Sequence, residues 1–515
     1  MLLYFCARFS EDPRMNHRSI ALGLLLWSFG VATAQDPQRH LEFKISGTAG
    51  DTVFLANYYG NRLFYADTAI ADPKGRSLFD RTKGYPAGVY AVVIPGPKYF
   101  EFIINEPEVQ MSSDKDDLQG KLAVERSVEN KVFLEYIRML NDRKKEADIL
   151  LEKRKLAKDP IARASIQQLL DAIDGAMKLA QQAVVDANPG TLVAQIVRMS
   201  QPVDRSVVHR ADGTLDSLAS YYDYRARYWM HTDLSDERIV RTPVFQNKLE
   251  EYIGRVVPQI PDTINRLADE FIGKLPHGGE LFKFVVHNIT YKYETSDIMG
   301  MDAVFVHMAL TYYCPEPGDK SKATWMSEEK LDKMCERARK QAPLVIGAKA
   351  KHLVLPDTTE QKWISSHTLP NDFLYLIFWD PHCGHCKKEL PGIYKDYVEK
   401  LKPMGVEVYS VAKATDSTLF ADWKKFIREN HLDWVNVGLT WHVYQEARKN
   451  PSAYIPRHTN IESLNYADTY DVYSTPRYFL LDADRKIAGK QITAGQAADL
   501  VTKLRERKMN GGSKP

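Results

Sequence analysis

The sequence predicts a multidomain protein with an N-terminal β-sandwich-like domain, a central all-α domain and a C-terminal α/β domain. At 515 residues the chain exceeds the size of one ordinary domain. The apolar period changes from strand-like to helical near residue 127, and strand-like and helical segments alternate from about Leu344, as is typical of an α/β domain. The predicted segments are a processing signal at 1–34, then domains at 35–115, 116–343 and 344–515.

The composition is that of an ordinary globular protein, with 44% hydrophobic and 26% charged residues. The net charge is only +2. A global basic field that would attract nucleic acid or an anionic membrane surface is therefore missing, and we expect no nucleic-acid partner.

Residues 1–34 have the pattern of a signal peptide. Asn16-His17-Arg18 gives a basic start, residues 20–31 are uncharged and Leu-rich, and Ala32-Thr33-Ala34 supplies small residues before a cleavage site. The apolar run of about a dozen residues is shorter than the roughly 20 that a spanning helix needs, and no later run is longer. We therefore expect export to the periplasm or cell envelope, with no transmembrane segment in the mature chain.

Short β-branched and aromatic runs, separated by Gly and Pro, predict the strands of the first domain; they lie at 41–45, 52–55, 89–94 and 100–104. Helical periodicity follows over 127–341. In the last domain, residues 374–378 are apolar throughout, as in a central strand that is buried on both faces. A helix is predicted from about Cys386 to Lys402.

The most informative motif is Cys383-Gly384-His385-Cys386, which lies where this buried strand turns into the helix. A thiol attacks a disulfide only as a thiolate, and the unpaired N–H groups of a helix N-terminus favour negative charge. We expect Cys383, at the exposed turn, to be the nucleophile and Cys386, one turn further, to be the resolving thiol. His385 can add positive charge beside the thiolate.

Other uses of this motif fit less well. A c-type haem site needs His directly after the second cysteine, where the chain has Lys387, and a structural zinc site usually needs a second cysteine pair. We expect no metal and no cofactor. Two alternatives stay open: a copper-binding chaperone that uses the two thiols and a histidine, and an envelope adaptor with an accessory redox domain.

Cys314 and Cys335 flank a loop that is rich in Pro and Gly. Spacing alone cannot place their Cα atoms within bridging range. Two separate buried thiols are the favoured interpretation, and a structural disulfide bond is the alternative.

The segment 378–387 resembles the active-site segment of thioredoxin-like proteins, with Trp379 four residues before the first cysteine and Pro391 five residues after the second. The segment 470–482 resembles the cis-proline segment of that family. Residues 346–355 are similar to the start of its exported TlpA/ResA-like branch.

The resemblance implies a thiol–disulfide oxidoreductase in which Pro476 is cis and packs against the cysteine pair. It implies that Thr475 pairs with an extended substrate and that Trp379 and His382 line the substrate site. Implied partners are protein thiols and disulfides, with a membrane-linked electron donor or acceptor.

The sequence differs from that of thioredoxin itself at two places. Ile377 stands where thioredoxin has a buried Asp, and the dipeptide Gly384-His385 is the one found in protein disulfide isomerase. Isomerase potentials lie near about −180 mV and that of thioredoxin near about −270 mV. The exported branch favours a reductase and the dipeptide an oxidase or isomerase, so the direction of electron flow stays open.

Overall fold

The computed structural model describes residues 38–316 and 321–509, which form two compact units. Within these residues, one unit comprises 38–259 and 269–285, and the other comprises 260–268, 286–316 and 321–509. The predicted signal peptide lies outside the described residues. In the described part of the chain, no helix has both the length and the apolar character that crossing a bilayer requires.

The N-terminal region of the first unit is rich in strands. These are β1 (His40–Ser46), β2 (Thr52–Tyr59), β3 (Arg62–Ile70), β4 (Arg76–Phe79), β5 (Gly88–Ile94), β6 (Lys98–Ile104), β7 (Glu108–Asp114) and β8 (Ala123–Arg126). One sheet has the order β4-β1-β7-β8 and the other the order β3-β2-β5-β6. Side chains from both sheets share one core, in which the rings of Phe43 and Phe102 are 4.9 Å apart.

The apolar alternation that predicts a strand at 41–45 corresponds to burial in β1. Leu41, Phe43 and Ile45 are buried, because successive side chains of a strand point to opposite faces. Strand β8 pairs antiparallel with β7, so the sheet continues beyond residue 115, where the sequence predicts a domain boundary. The polar residues around that position belong to the paired strand β7 and the turn that follows it.

Helices dominate the middle of the chain, as predicted. They are α1 (Val128–Leu156), α2 (Pro160–Ala187), α3 (Leu192–Ser200), α4 (Ser217–Arg227), α5 (Pro243–Glu251), α6 (Pro261–Ile272), α7 (Glu280–Glu294), α8 (Asp302–Met308) and α9 (Glu328–Gln341). The long helices α1 and α2 pack against each other as a hairpin. Asp159 is the N-cap residue of α2, because its side chain accepts hydrogen bonds from the N–H groups of Ile161 and Ala162. Pro160 occupies the first helical position.

The C-terminal region alternates strands and helices. Its elements are β9 (Val354–Pro356), β10 (Trp363–Ser365), β11 (Phe373–Trp379), α10 (Gly384–Asp396), β12 (Val406–Ala414), α11 (Ser417–Glu429), β13 (Val435–Thr440), α12 (Trp441–Lys449), α13 (Ile461–Leu464), α14 (Tyr466–Thr469), β14 (Arg477–Leu481), β15 (Ile487–Lys490) and α15 (Ala494–Met509). The main sheet has the order β13-β12-β11-β14-β15. Strands β11, β12 and β13 are parallel, whereas β14 and β15 are antiparallel to their neighbours.

Two apolar cores cover the two faces of this sheet. One contains Tyr375, Ile377 and Trp379, and the other contains Leu376 and Phe378. Because β11 contributes to both, all seven of its side chains are buried. This is the physical reason for its unbroken apolar sequence.

Cys314 and Cys335 are joined by a disulfide bond, so the favoured interpretation of two separate thiols is wrong. Cys335 lies on α9, and the two Cα atoms are 5.5 Å apart, within the range that a disulfide bond requires. The chain between them folds back, which the spacing of the two residues in the sequence cannot reveal.

We expect the double substitution Cys314→Ala/Cys335→Ala to lower the free energy of unfolding by about 3 kcal/mol. The bond closes a loop across a separation of 21 residues and so restricts the unfolded chain. Denaturant unfolding of the wild type and the variant measures the difference. The matched control is the pair of substitutions Cys383→Ser/Cys386→Ser, whose intact mass without reductant should be about 2 Da below its reduced mass; the same mass in both states would contradict the bond.

Candidate active site

The motif Cys383-Gly384-His385-Cys386 lies at the carboxyl end of the central strand. Strand β11 ends at Trp379, a short turn follows, and α10 begins at Gly384 with Cys383 as its N-cap residue. Helix α10 runs on to Asp396 with Pro391 inside it. The first thiol therefore faces the unpaired N–H groups of a helix N-terminus, where a negative charge is favoured.

Asp380 shapes the turn between strand and helix. Its carbonyl oxygen accepts the N–H of Cys383 at 3.0 Å, and its Oδ1 accepts the N–H of His382 at 2.8 Å. Its other carboxylate oxygen is 3.2 Å from Nζ of Lys413. These contacts hold the backbone before the first cysteine in one conformation.

The pKa values of the two thiols are shifted in opposite directions. Partial burial raises the pKa of the Cys383 thiol, but hydrogen bonds from the N–H groups of Cys386 and His385 and from the Thr475 side chain outweigh it, so this pKa lies below its ordinary value. Burial raises the pKa of the Cys386 thiol to about 12. Near neutral pH, the thiolate is thus formed more readily on Cys383.

The Cys386 side chain is buried in an apolar core. It is inaccessible to solvent and belongs to the same core as Ile377 and Trp379. Trp379 is only 1% exposed, and its indole N–H donates to the hydroxyl of Ser410 at 2.9 Å. Trp379 therefore lies in the core beneath the motif.

A second segment meets the motif from far along the chain. The peptide bond between Thr475 and Pro476 is cis, as the resemblance implies. The Cys383 thiol donates to the carbonyl oxygen of Thr475 at 3.3 Å, across 92 residues of sequence. Among the described residues, none accepts a hydrogen bond from the Thr475 N–H.

The two histidines of the motif region lie at the surface. His385 is exposed on the first turn of α10. His382 is exposed, and its Nε2 is 2.7 Å from Oδ2 of Asp422 on α11. Helix α11 follows β12, the parallel neighbour of β11, so its first turns lie at the same edge of the sheet as the motif.

The structure adds three residues that the sequence interpretation missed: Asp422, Tyr473 and Glu389. Tyr473, two residues before Thr475, is 80% exposed, and the Lys340 ammonium is 5.9 Å from its ring centroid. Glu389 on α10 accepts the hydroxyl of Tyr478 at 2.7 Å. The rule that ligands bind beyond the carboxyl ends of parallel strands would have drawn attention to Asp422.

Within residues 38–316 and 321–509, no group of three or more His, Cys, Asp or Glu side chains has an arrangement that could hold a metal ion. Cys383 and Cys386 are both free thiols.

Comparisons with known proteins give matches that include the C-terminal region of the chain. The model of the AhpC/TSA family matches residues 346–490. The chain is 32% identical over 147 residues to the thiol-disulfide oxidoreductase ResA of Bacillus cereus, an alignment that covers 28% of this chain and 69% of that protein.

Solved structures give similar matches. A domain of a possible thiol-disulfide isomerase from Cytophaga hutchinsonii ATCC 33406 is 28% identical, with 33% of this chain and 99% of that chain covered and a TM-score of 0.26. A thioredoxin-like protein from Bacteroides caccae ATCC 43185 is 14% identical, with 59% and 99% covered and a TM-score of 0.39.

We expect iodoacetamide to modify Cys383 and to spare Cys386 in the reduced, folded protein. Only a thiolate reacts, and Cys386 is both buried and of raised pKa. Brief alkylation near neutral pH followed by peptide mass spectrometry measures the two yields. Protein in denaturant, in which both thiols should react alike, is the control; faster modification of Cys386 in the folded protein would reverse the assigned roles.

Proposed function

The chain belongs to the ResA-like family of thiol–disulfide oxidoreductases, which have a thioredoxin-like fold, and we propose that it exchanges disulfides with partner proteins through Cys383 and Cys386. The observation that carries this proposal is the opposite acidity of the two thiols at the start of α10. The lowered pKa of Cys383 provides the attacking thiolate, and Cys386, which is buried and has a raised pKa, stays protonated until the second step.

In the reductive direction, the Cys383 thiolate attacks one sulfur of a substrate disulfide. The substrate bond breaks, one substrate thiolate leaves, and a mixed disulfide joins Cys383 to the substrate. Cys386 then attacks the Cys383 sulfur and releases the second substrate thiolate. The Cys383–Cys386 disulfide has formed, two electrons have passed to the substrate, and the reverse sequence oxidises a dithiol.

The second step requires Cys386 to lose its proton. Ile377, which lies in the same core, has no group that can accept it. We assign this role to the substrate thiolate released in the first step, which takes up the proton and leaves as a thiol. Cys386 then loses its proton only after the mixed disulfide has formed. It stays protonated until a substrate is bound.

Substrate binding in this proposal uses the cis-proline segment. The Thr475 N–H is directed to an extended substrate strand, as in β-strand addition, while Pro476 closes the surface beside the thiols. In this proposal the exposed side chains of His382 and Tyr473 contribute to the same surface, and Trp379 packs in the core beneath it.

We place this activity in the periplasm or cell envelope. Support comes from the signal-peptide pattern at 1–34 and from the Cys314–Cys335 bond, since structural disulfides persist in oxidising compartments. An enzyme that cycles there needs its thiol pair restored, and a membrane-linked electron donor or acceptor is the partner that we propose for this step.

We expect Cys383→Ser to abolish the acceleration that the wild type gives to the reduction of insulin by dithiothreitol. Cys386→Ala should instead retain the first step and accumulate mixed disulfides, because no resolving thiol is present. Insulin turbidity and non-reducing gels followed by mass spectrometry measure these effects. Cys314→Ala/Cys335→Ala is the control and should keep the activity; a fully active Cys383→Ser variant would refute the proposed function.

The direction of electron flow follows from the reduction potential of the pair, and His385 is the residue that sets it. Replacing His385 by Pro removes a backbone N–H that stabilises the Cys383 thiolate, so the reduced form is less stable. We expect His385→Pro to lower the potential by about 30 mV or more, a tenfold change in the equilibrium constant. Equilibration with glutathione measures it. His382→Asn, which removes the imidazole just outside the pair, is the control and should shift it less; an unchanged potential in His385→Pro would remove this role.

A further inference from the structure

The helices of the first unit enclose a cavity of about 470 Å³ that the redox chemistry does not use. Its walls come from α1, α2, α3 and α5. The volume lies in the range of small-molecule binding sites and has room for about fifteen water molecules. Five nearly inaccessible apolar side chains line its inner part: Leu140, Leu170, Met177, Met199 and Val244.

A buried lysine also lines this apolar space. Lys248 on α5 is 7% exposed, and its Nζ donates to the carbonyl oxygen of Met199 at a long 3.4 Å. The ammonium lies 4.9 Å from the centroid of the Tyr228 ring. A charged group in such surroundings is stable only with an opposite charge or strong hydrogen bonds, and one long hydrogen bond and the rings of Tyr228 and Trp229 are weak compensation.

The charges around Lys248 leave a place for an anion. Burial lowers the pKa of Lys248 to about 8, and the nearby carboxylate of Glu251 opposes this effect. Glu251 also accepts the hydroxyl of Tyr228 at 3.1 Å. Burial, and then the positive charges of Lys248 and Arg198, lower the pKa of His231. Glu251 is thus close to Lys248, but within the described residues Lys248 forms no ion pair, and its ammonium is available to an added anion.

The outer end of the cavity is polar. Arg154, Asp174, Lys178 and Asp204 line it and are exposed, and Nζ of Lys178 is 2.8 Å from Oδ1 of Asp204. The lining therefore changes from charged at the mouth to aliphatic inside, with Lys248 as a buried cation. A cleft of this size, mainly apolar with a few polar groups, is typical of a small-molecule binding site.

We propose that the cavity binds a single-chain amphiphile, an aliphatic chain with one carboxylate whose head group pairs with the Lys248 ammonium. Leu, Met and Val side chains suit an alkyl chain, because they are apolar and form no competing hydrogen bonds. Lys248 provides a single positive charge, which matches the single negative charge of a carboxylate head group. This site is independent of the thiol pair, and the first unit is then a ligand-binding module.

Isothermal titration calorimetry with dodecanoate and dodecanol, on the full chain and below their aggregation concentrations, tests this proposal. We expect wild type to bind one dodecanoate and to bind dodecanol at least tenfold more weakly. Lys248→Met should weaken dodecanoate at least tenfold and leave dodecanol unchanged. The variant should fold, because replacing a buried charge by an apolar group of similar length does not destabilise a core.

Two further variants make the test specific. Lys131→Met removes an exposed lysine of α1 that does not line the cavity, and it should leave binding unchanged. Met177→Trp fills the cavity and should abolish binding of both compounds, with thermal unfolding used to confirm the fold. The proposal is overturned if wild type shows no saturable dodecanoate binding, if dodecanol binds equally well, or if Lys248→Met binds dodecanoate as wild type does.

Discussion

Strand β11 has no solvent-facing side, and the geometry of the redox site depends on this. Its parallel pairing with β12 and antiparallel pairing with β14 fix it in the middle of the sheet, while the two apolar cores fill both faces. The chain can therefore leave the sheet only at Trp379. The motif that follows is held at the carboxyl edge, and the start of β14 lies opposite. Because Phe378 pairs with Arg477 in register, the residues just before Arg477 are brought beside Cys383.

The difference between the two thiols follows from the same arrangement. Cys383 is at the last position before α10, where helix N–H groups are available, whereas Cys386 is one turn further and points back onto the core formed by Ile377 and Trp379. One sulfur gains hydrogen bonds that stabilise its negative charge, and the other loses solvent. A single strand-to-helix turn thus produces opposite pKa shifts in residues three positions apart.

The sequence alone predicts the features that depend on neighbouring residues in the chain. The unbroken apolar run of β11, the helix after the motif and the β-rich and helical regions before it follow from periodicity, and Pro476 was found through the resemblance. Contacts across the fold were not accessible in this way. The Asp422 partner of His382 lies 40 residues away, and the exposure of Tyr473 depends on the packing around its loop. The cavity around Lys248 is equally invisible, because its walls come from helices far apart in the sequence.

A disulfide exchanger that carries a structural disulfide of its own must keep the two from reacting with each other. Thiolate attack requires access to a sulfur along the axis of the S–S bond. Cys335 is 3% exposed on the inner side of α9, and Cys314 is half-buried. Burial therefore limits approach of an external thiolate to the Cys314 sulfur, whereas Cys383 remains open at its turn. Burial thus has two effects in this region: it keeps the Cys386 thiol protonated, and it protects the Cys314–Cys335 bond from attack.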